Sequence, residues 1–156
     1  MHNLRVTSHG RLQVCHYMTP FFAQDHDYSK YNVLAVDDIP LNLLLVQKML
    51  SRFNFKMRTA ANGQLALDAV AAQKPDLILL DLMMPGIDGF EVIRRLRANP
   101  ETADIQIVIL SALNSNEDVV KGFNVGANDF IMKPIIMEKL LSCVVTQMQI
   151  VEGKNK

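Results

Sequence analysis

The chain has 156 residues, 16 Lys plus Arg against 16 Asp plus Glu, four His, two Cys and no Trp. That length suits one domain with a real core, 49% hydrophobic and 21% charged residues exclude wholesale disorder, and zero net charge lacks the basic face that nucleic acids select. No apolar run approaches the roughly 18 residues a membrane span needs, and Cys15 and Cys143 cannot build a disulfide framework, so the expected setting is a reducing cytoplasm.

Residues 1–30 show neither helical nor strand periodicity, carry a charge of +3 −2 = +1 and hold every histidine (His2, His9, His16 and His26) beside Gly10 and Pro20. They predict a poorly ordered extension, with Met18 as an alternative start. From residue 31 onward there is no histidine, which removes His metal sites, His-based nucleophilic catalysis and a phosphoryl-accepting His from the domain. Strands are predicted at 32–36, 55–60, 77–80, 105–110 and 130–132, and helices near 40–53, 62–73, 87–98, 115–123 and 135–150. The first, third and fourth strands are nearly continuous apolar runs, as strands covered on both faces are. The second alternates Phe55, Met57 and Thr59 with Lys56 and Arg58, which suits an edge. Five βα units predict an α/β fold, a doubly wound parallel sheet with right-handed crossovers over 31–151, followed by a short tail at 152–156.

In such sheets ligands bind beyond the carboxyl ends of the strands. The first strand ends in Asp37-Asp38, the third in Asp81, the fourth in Ser111-Ala112 and the fifth in Lys133-Pro134. Any one of these is ordinary, since Asp is a common helix cap and Lys-Pro a common loop. Jointly they bring three carboxylates, a hydroxyl and an ammonium to one rim. Carboxylates packed together raise one another's pKa unless a cation lies among them, and an all-oxygen donor set suits Mg²⁺. The constellation fits phosphoryl acceptance: Asp81 as nucleophile, Mg²⁺ and Lys133 neutralising the phosphoryl oxygens, and Ser111 bonding one of them.

Four segments carry a family resemblance: Val33-Leu34-Ala35-Val36-Asp37-Asp38, the run from Asp76 through Leu80-Asp81-Leu82-Met83-Met84-Pro85-Gly86-Ile87-Asp88-Gly89, Ile107-Val108-Ile109-Leu110-Ser111-Ala112, and Gly126-Ala127-Asn128-Asp129-Phe130-Ile131-Met132-Lys133-Pro134. The chain resembles the receiver domains of two-component response regulators, the CheY-like family, over about residues 31–150. The resemblance implies a flavodoxin-like (βα)5 sheet of strand order 2-1-3-4-5, Asp81 as phosphoacceptor, and Mg²⁺ held by Asp37, Asp38, Asp81 and the backbone carbonyl of Met83. It also implies Ser111 and Phe130 as switch residues, Lys133 as the site lysine, and a cis Lys133-Pro134 bond. The implied donor is a phosphohistidine on a histidine kinase or histidine phosphotransfer protein. The downstream protein is unknown, and dimerisation on activation is left open. Phe130 lacks the hydroxyl of the tyrosine many members carry, so burial of its ring has to do the switching. Asn42, four residues after Asp38, resembles the receivers of hybrid histidine kinases, and an excised hybrid receiver is an alternative. A polar residue near a helix start explains Asn42 equally well.

On the first helix Leu43, Val46, Leu50 and Phe53 form the predicted core stripe, leaving Leu41, Leu44 and Leu45 outside as a docking patch for the donor's helices or as plain exposed leucines. The short polar helix from Ser115, with Gly122 inside it, marks 111–134 as the mobile output face. Cys143 reads as a small core residue. The few residues after the last helix leave no room for an effector, so output is expected through protein contact. A haloacid-dehalogenase phosphohydrolase also uses a strand-terminal Asp, but here Met83 stands where that chemistry needs a second carboxylate. An unphosphorylated scaffold is a third reading, set against the presence of every acceptor-site group.

Overall fold

The structure, a computed structural model, describes residues 3–6, 12–15 and 27–155; His2, His9, His16, His26 and Met18 lie outside them. Within the N-terminal stretch, where no element is predicted, β1 (Asn3–Val6) pairs antiparallel with β2 (Leu12–Cys15). The main sheet holds β3 (Asn32–Val36), β4 (Lys56–Ala60), β5 (Leu77–Leu80), β6 (Gln106–Ser111) and β7 (Asp129–Met132). All neighbours are parallel in the order β4-β3-β5-β6-β7, which is 2-1-3-4-5 counted along these five strands. The intervening helices are α1 (Pro40–Leu50), α2 (Gly63–Ala72), α3 (Gly89–Ala98), α4 (Asn116–Val125) and α5 (Met137–Lys154). None of the described helices is long and apolar enough to cross a membrane.

The two-residue period of a strand divides the core in two. Val33, Ala35, Leu77, Leu79, Val108 and Leu110 face α1 and α5, packing with Leu50, Leu140, Val144 and Met148. Their alternates Leu34, Val36, Ile78, Leu80, Ile107 and Ile109 face α2, α3 and α4, packing with Ala66, Val70, Val92 and Ile93. β5 and β6 are buried throughout, whereas β4 at the edge keeps a mixed, partly exposed pattern. Beyond their first residues, β3, β5 and β6 stay apolar and buried until the chain reaches the rim, so the next polar side chains fall there.

Predicted boundaries lie within two residues of the observed ones except at the far ends of α1, which stops at Leu50 instead of 53, and of α5, which reaches Lys154 instead of 150. Lys154 Nζ donates to the Asp104 carbonyl at 2.9 Å and to Gln106 Oε1 at 2.8 Å, while Val151 is buried, so the last turn is held where a short tail is predicted. Helix α1 closes through a 3-10 turn at Ser51–Phe53, ending at Asn54 with a left-handed φ of 59°. The packed body also begins before residue 31. Tyr28 is buried, its ring stacked on Phe55 at 5.4 Å between centroids, and its N–H donates to the Phe53 carbonyl at 2.8 Å.

Candidate functional site

The strand ladders run one residue past the strands themselves. Asp37 N–H donates to the Ala60 carbonyl at 3.2 Å, Asp81 N–H to the Val36 carbonyl at 2.9 Å, and Lys133 N–H to the Ser111 carbonyl at 2.8 Å. The backbones of Asp37, Asp81 and Lys133 are thereby fixed side by side at the carboxyl edge, and the Lys133-Pro134 bond is cis as predicted. Carboxylate oxygens of Asp37, Asp38 and Asp81 all lie within 4.8 Å of one another, with Asp37 and Asp81 buried and Asp38 exposed to solvent.

Lys133 reaches across this cluster. Its Nζ lies 2.8 Å from Asp37 Oδ2 and 3.7 Å from Asp81 Oδ1. Burial is the main force on Asp81 and pushes its carboxyl above the ordinary range; Lys133 opposes this, Asp37 adds to it, and the Met83 and Leu82 N–H groups oppose it. Three carboxyl groups face a single ammonium and the donors are all oxygen, so a divalent hard cation fits the cluster.

The loop after β5 is held tightly against the site. Met83 N–H faces Asp81 Oδ1 at 3.5 Å, so residue 83 turns its backbone toward the acid while its side chain points out to solvent. Helix α3 begins with Asp88 Oδ1 accepting the Glu91 N–H at 2.9 Å. Its first residue, Gly89, touches the acid-bearing backbone: a Cβ there would stand 2.6 Å from the Asp81 carbonyl oxygen and 2.8 Å from Leu82 Cα. Gly86, in the same loop, has φ +79°, a conformation glycine adopts without strain.

Ser111 is fully buried and its Oγ accepts the Leu113 N–H at 3.1 Å. The strand register pairs Leu80 with Ile109, so Asp81 and Ser111 emerge on the same rim. Phe130 lies off that rim. It sits in β7 opposite Ile109, its ring beneath α4, where a Cβ on Gly122 would be 3.2 Å from Phe130 Cδ2 and 2.8 Å from Ile109 Cδ1. The predicted residues Asp37, Asp38, Asp81, Met83, Ser111 and Lys133 thus converge, with Phe130 one layer behind. Cys143 is buried, and its thiol donates to Asp129 Oδ2 at 3.2 Å; burial and that neighbouring carboxylate push the thiol pKa up, consistent with an inert core role.

Asn42 also belongs to the site. Its Nδ2 donates to Asp37 Oδ2 at 3.1 Å, while the Ile39 N–H donates to Asp37 Oδ1 at 2.9 Å. The signal was its place one turn into α1, where a side chain can reach back to the strand end. Beside it a mostly apolar groove of about 520 Å³ runs between α1 and the start of α5, lined by Leu45, Met49, Pro134 and Ile135 among others.

A family model described as the response regulator receiver domain matches residues 33–145. The chain is 44% identical over 103 residues to the response regulator PleD of Caulobacter vibrioides, covering 66% of this chain and 23% of that protein. It is 33% identical to the protein PilH of Pseudomonas aeruginosa, over 72% of this chain and 93% of PilH. Its fold is similar to the solved receiver domain of a signal transduction histidine kinase from Syntrophus aciditrophicus, with a TM-score of 0.71, 30% identity, and coverage of 76% of this chain and 90% of that one. The chain thus spans under a quarter of PleD. The haloacid-dehalogenase alternative is set aside, because the match is to receivers and Met83, not a carboxylate, stands two residues after Asp81.

Proposed function

The chain belongs to the response regulator receiver domain family, and from that premise we propose that Asp81 accepts a phosphoryl group from a phosphohistidine on a histidine kinase or histidine phosphotransfer protein. One observation carries the proposal: Asp37, Asp38 and Asp81 meet within 4.8 Å at the strand ends, with Lys133 reaching two of them. An Asp81 carboxylate oxygen attacks phosphorus as the P–N bond to the donor imidazole breaks; the nitrogen keeps the electron pair and takes up a proton. The residues that would hold Mg²⁺ are Asp37, Asp38, Asp81 and the Met83 carbonyl, and the ion would supply positive charge to the transferring oxygens.

The remaining roles belong to the chain's own groups. Lys133 gives its ammonium to a phosphoryl oxygen, and Ser111 turns its hydroxyl from the Leu113 N–H to another. The Phe130 ring follows inward, and the 111–134 face moves between two pre-existing arrangements, read by a downstream protein. Val120 and Phe123, exposed on α4, offer apolar contact on that face. On α1 the exposed Leu41, Leu44 and Leu45 meet the helices of the donor, beside the groove that opens at Asp37 and Lys133. A reducing cytoplasm, where such donors are charged from ATP, agrees with the cysteine usage. A second reading, a receiver within a larger hybrid kinase, is favoured by the likeness to the receiver domain of the Syntrophus aciditrophicus histidine kinase.

Incubation with acetyl phosphate and Mg²⁺, alongside Asp81→Asn, tests the proposal. One phosphoryl group per chain, lost in the variant, supports it. Turnover of assorted phosphate esters supports a hydrolase, and no incorporation supports a scaffold; either result overturns it.

A further inference from the structure

Lys133 is claimed by two carboxylates. It sits on Asp37 Oδ2 at 2.8 Å and stands farther from Asp81 Oδ1, at 3.7 Å. A phosphoryl group on Asp81 extends beyond that carboxylate, so the ammonium has to leave Asp37 to meet it. Asp37 then loses its charged donor at the moment when its orientation toward the cation matters most. Its Oδ1 stays tied to the Ile39 N–H at 2.9 Å, but one anchor lets a carboxylate turn about its Cβ–Cγ bond. The second anchor already in place is the Asn42 amide, 3.1 Å from Oδ2.

Resting on the reading of Asp81 as phosphoacceptor and of the acid cluster as a Mg²⁺ site, we infer that Asn42 is a positioning residue: its amide holds the Asp37 carboxylate oriented for the cation when Lys133 moves to the phosphoryl group. The chemistry of an amide suits this task. It donates a hydrogen bond without neutralising the anion, so Asp37 keeps its full attraction for a divalent cation, whereas a lysine or arginine there would compete with the metal. The backbone suits it too. Helix α1 has no side-chain cap from Ile39, and the Asn42 N–H donates to the Ile39 carbonyl at 3.0 Å, so the first turn is built on the same few residues that grip Asp37. Asn42 is partly exposed, which lets it be replaced without emptying the core.

The test is calorimetric titration with Mg²⁺ of the full chain and of Asn42→Leu and Asn42→Ala, without and with beryllium fluoride, a phosphoryl mimic that draws Lys133 away. Loss of one hydrogen bond to a charged group predicts Mg²⁺ binding weakened about tenfold in the variants with beryllium fluoride, and by a smaller factor without it. In phosphorylation by acetyl phosphate the half-saturating Mg²⁺ concentration rises by a similar factor, while the rate at saturating Mg²⁺ stays within about twofold, a split that loss of structure alone would not produce. Equal Mg²⁺ affinity in wild type and variants overturns the role of Asn42 and leaves the phosphoacceptor reading standing. A wild-type chain that binds no Mg²⁺ overturns the cation site itself.

Discussion

Gly89→Ala makes the link between packing and site measurable. At the first position of α3 an alanine gains up to about 1 kcal/mol of helix propensity over glycine. Its Cβ, however, would stand 2.6 Å from the Asp81 carbonyl oxygen and 2.8 Å from Leu82 Cα. Both are backbone atoms, so no flexible side-chain tip can move aside, and overpacking of this kind costs about 1–3 kcal/mol, here toward the upper end. The net loss is about 1–2 kcal/mol, a fall in Tm on the order of 3–8 °C for a domain of this size. Because the displaced atoms carry Asp81, phosphorylation by acetyl phosphate also slows. The comparison is Gly86→Ala, where a Cβ meets nothing within 4 Å and only the positive φ of +79° is penalised. It lowers Tm but leaves the acid in place and the phosphorylation rate near wild type. Melting followed by circular dichroism, with rates at 25 °C, reads both variants. A Gly89→Ala chain that melts and phosphorylates as the wild type does would refute the claim that this contact sets the position of Asp81.

Three further outcomes follow from the same geometry. Burial holds the Asp81 carboxyl above its ordinary range, so the folded chain keeps that proton to a higher pH than the unfolded chain; the contribution to stability is full at acid pH and is lost as pH rises through the raised value. Asp81→Asn, melted in EDTA, is therefore more stable than wild type at neutral pH, with the gap closing on acidification; a gap that widens in acid contradicts the sign. Leu41→Ser with Leu45→Ser, both on the exposed side of α1, slows phosphotransfer from a phosphohistidine donor and leaves Tm and acetyl phosphate kinetics near wild type; unchanged transfer removes α1 from the docking surface. Gln147→Leu takes the acceptor from buried Gln106 Nε2, costing about 1–3 kcal/mol in urea unfolding, whereas a change under about 0.5 kcal/mol would mean the pair is held by other groups.

What could be read in advance was local. The apolar runs of β3, β5 and β6 announce buried strands because every residue of such a strand faces a covered side. Asp37, Asp38, Asp81 and Ser111 stand where those runs stop and Lys133 follows β7, so finding the strands also found the rim. The features that escaped depend on partners far away in the chain. Gln106 reads as a blemish in an apolar strand until Gln147 and Lys154 are seen to bond it across 41 and 48 residues. Tyr28 has no periodic neighbours in sequence, and only the fold shows Phe53 and Phe55 waiting for its ring. Arg97 looks like a solvated helix charge, yet its guanidinium bonds the carbonyls of Gly126, Ala103 and Ile105 and the Asn128 side chain, tying α3 to the end of α4. Asn42 fits both a polar helix start and a ligand to the acid, and only the 3.1 Å contact with Asp37 separates the two.

The central claim is that Asp81, among all the carboxylates, forms the acyl phosphate. Borohydride reduction of the phosphorylated chain converts an aspartyl phosphate to homoserine, and peptide mass mapping then locates it. Homoserine at residue 81, absent when Mg²⁺ is chelated, is the predicted result. Homoserine at Asp37 or Asp38, or none after full exposure to a phosphodonor, would contradict it.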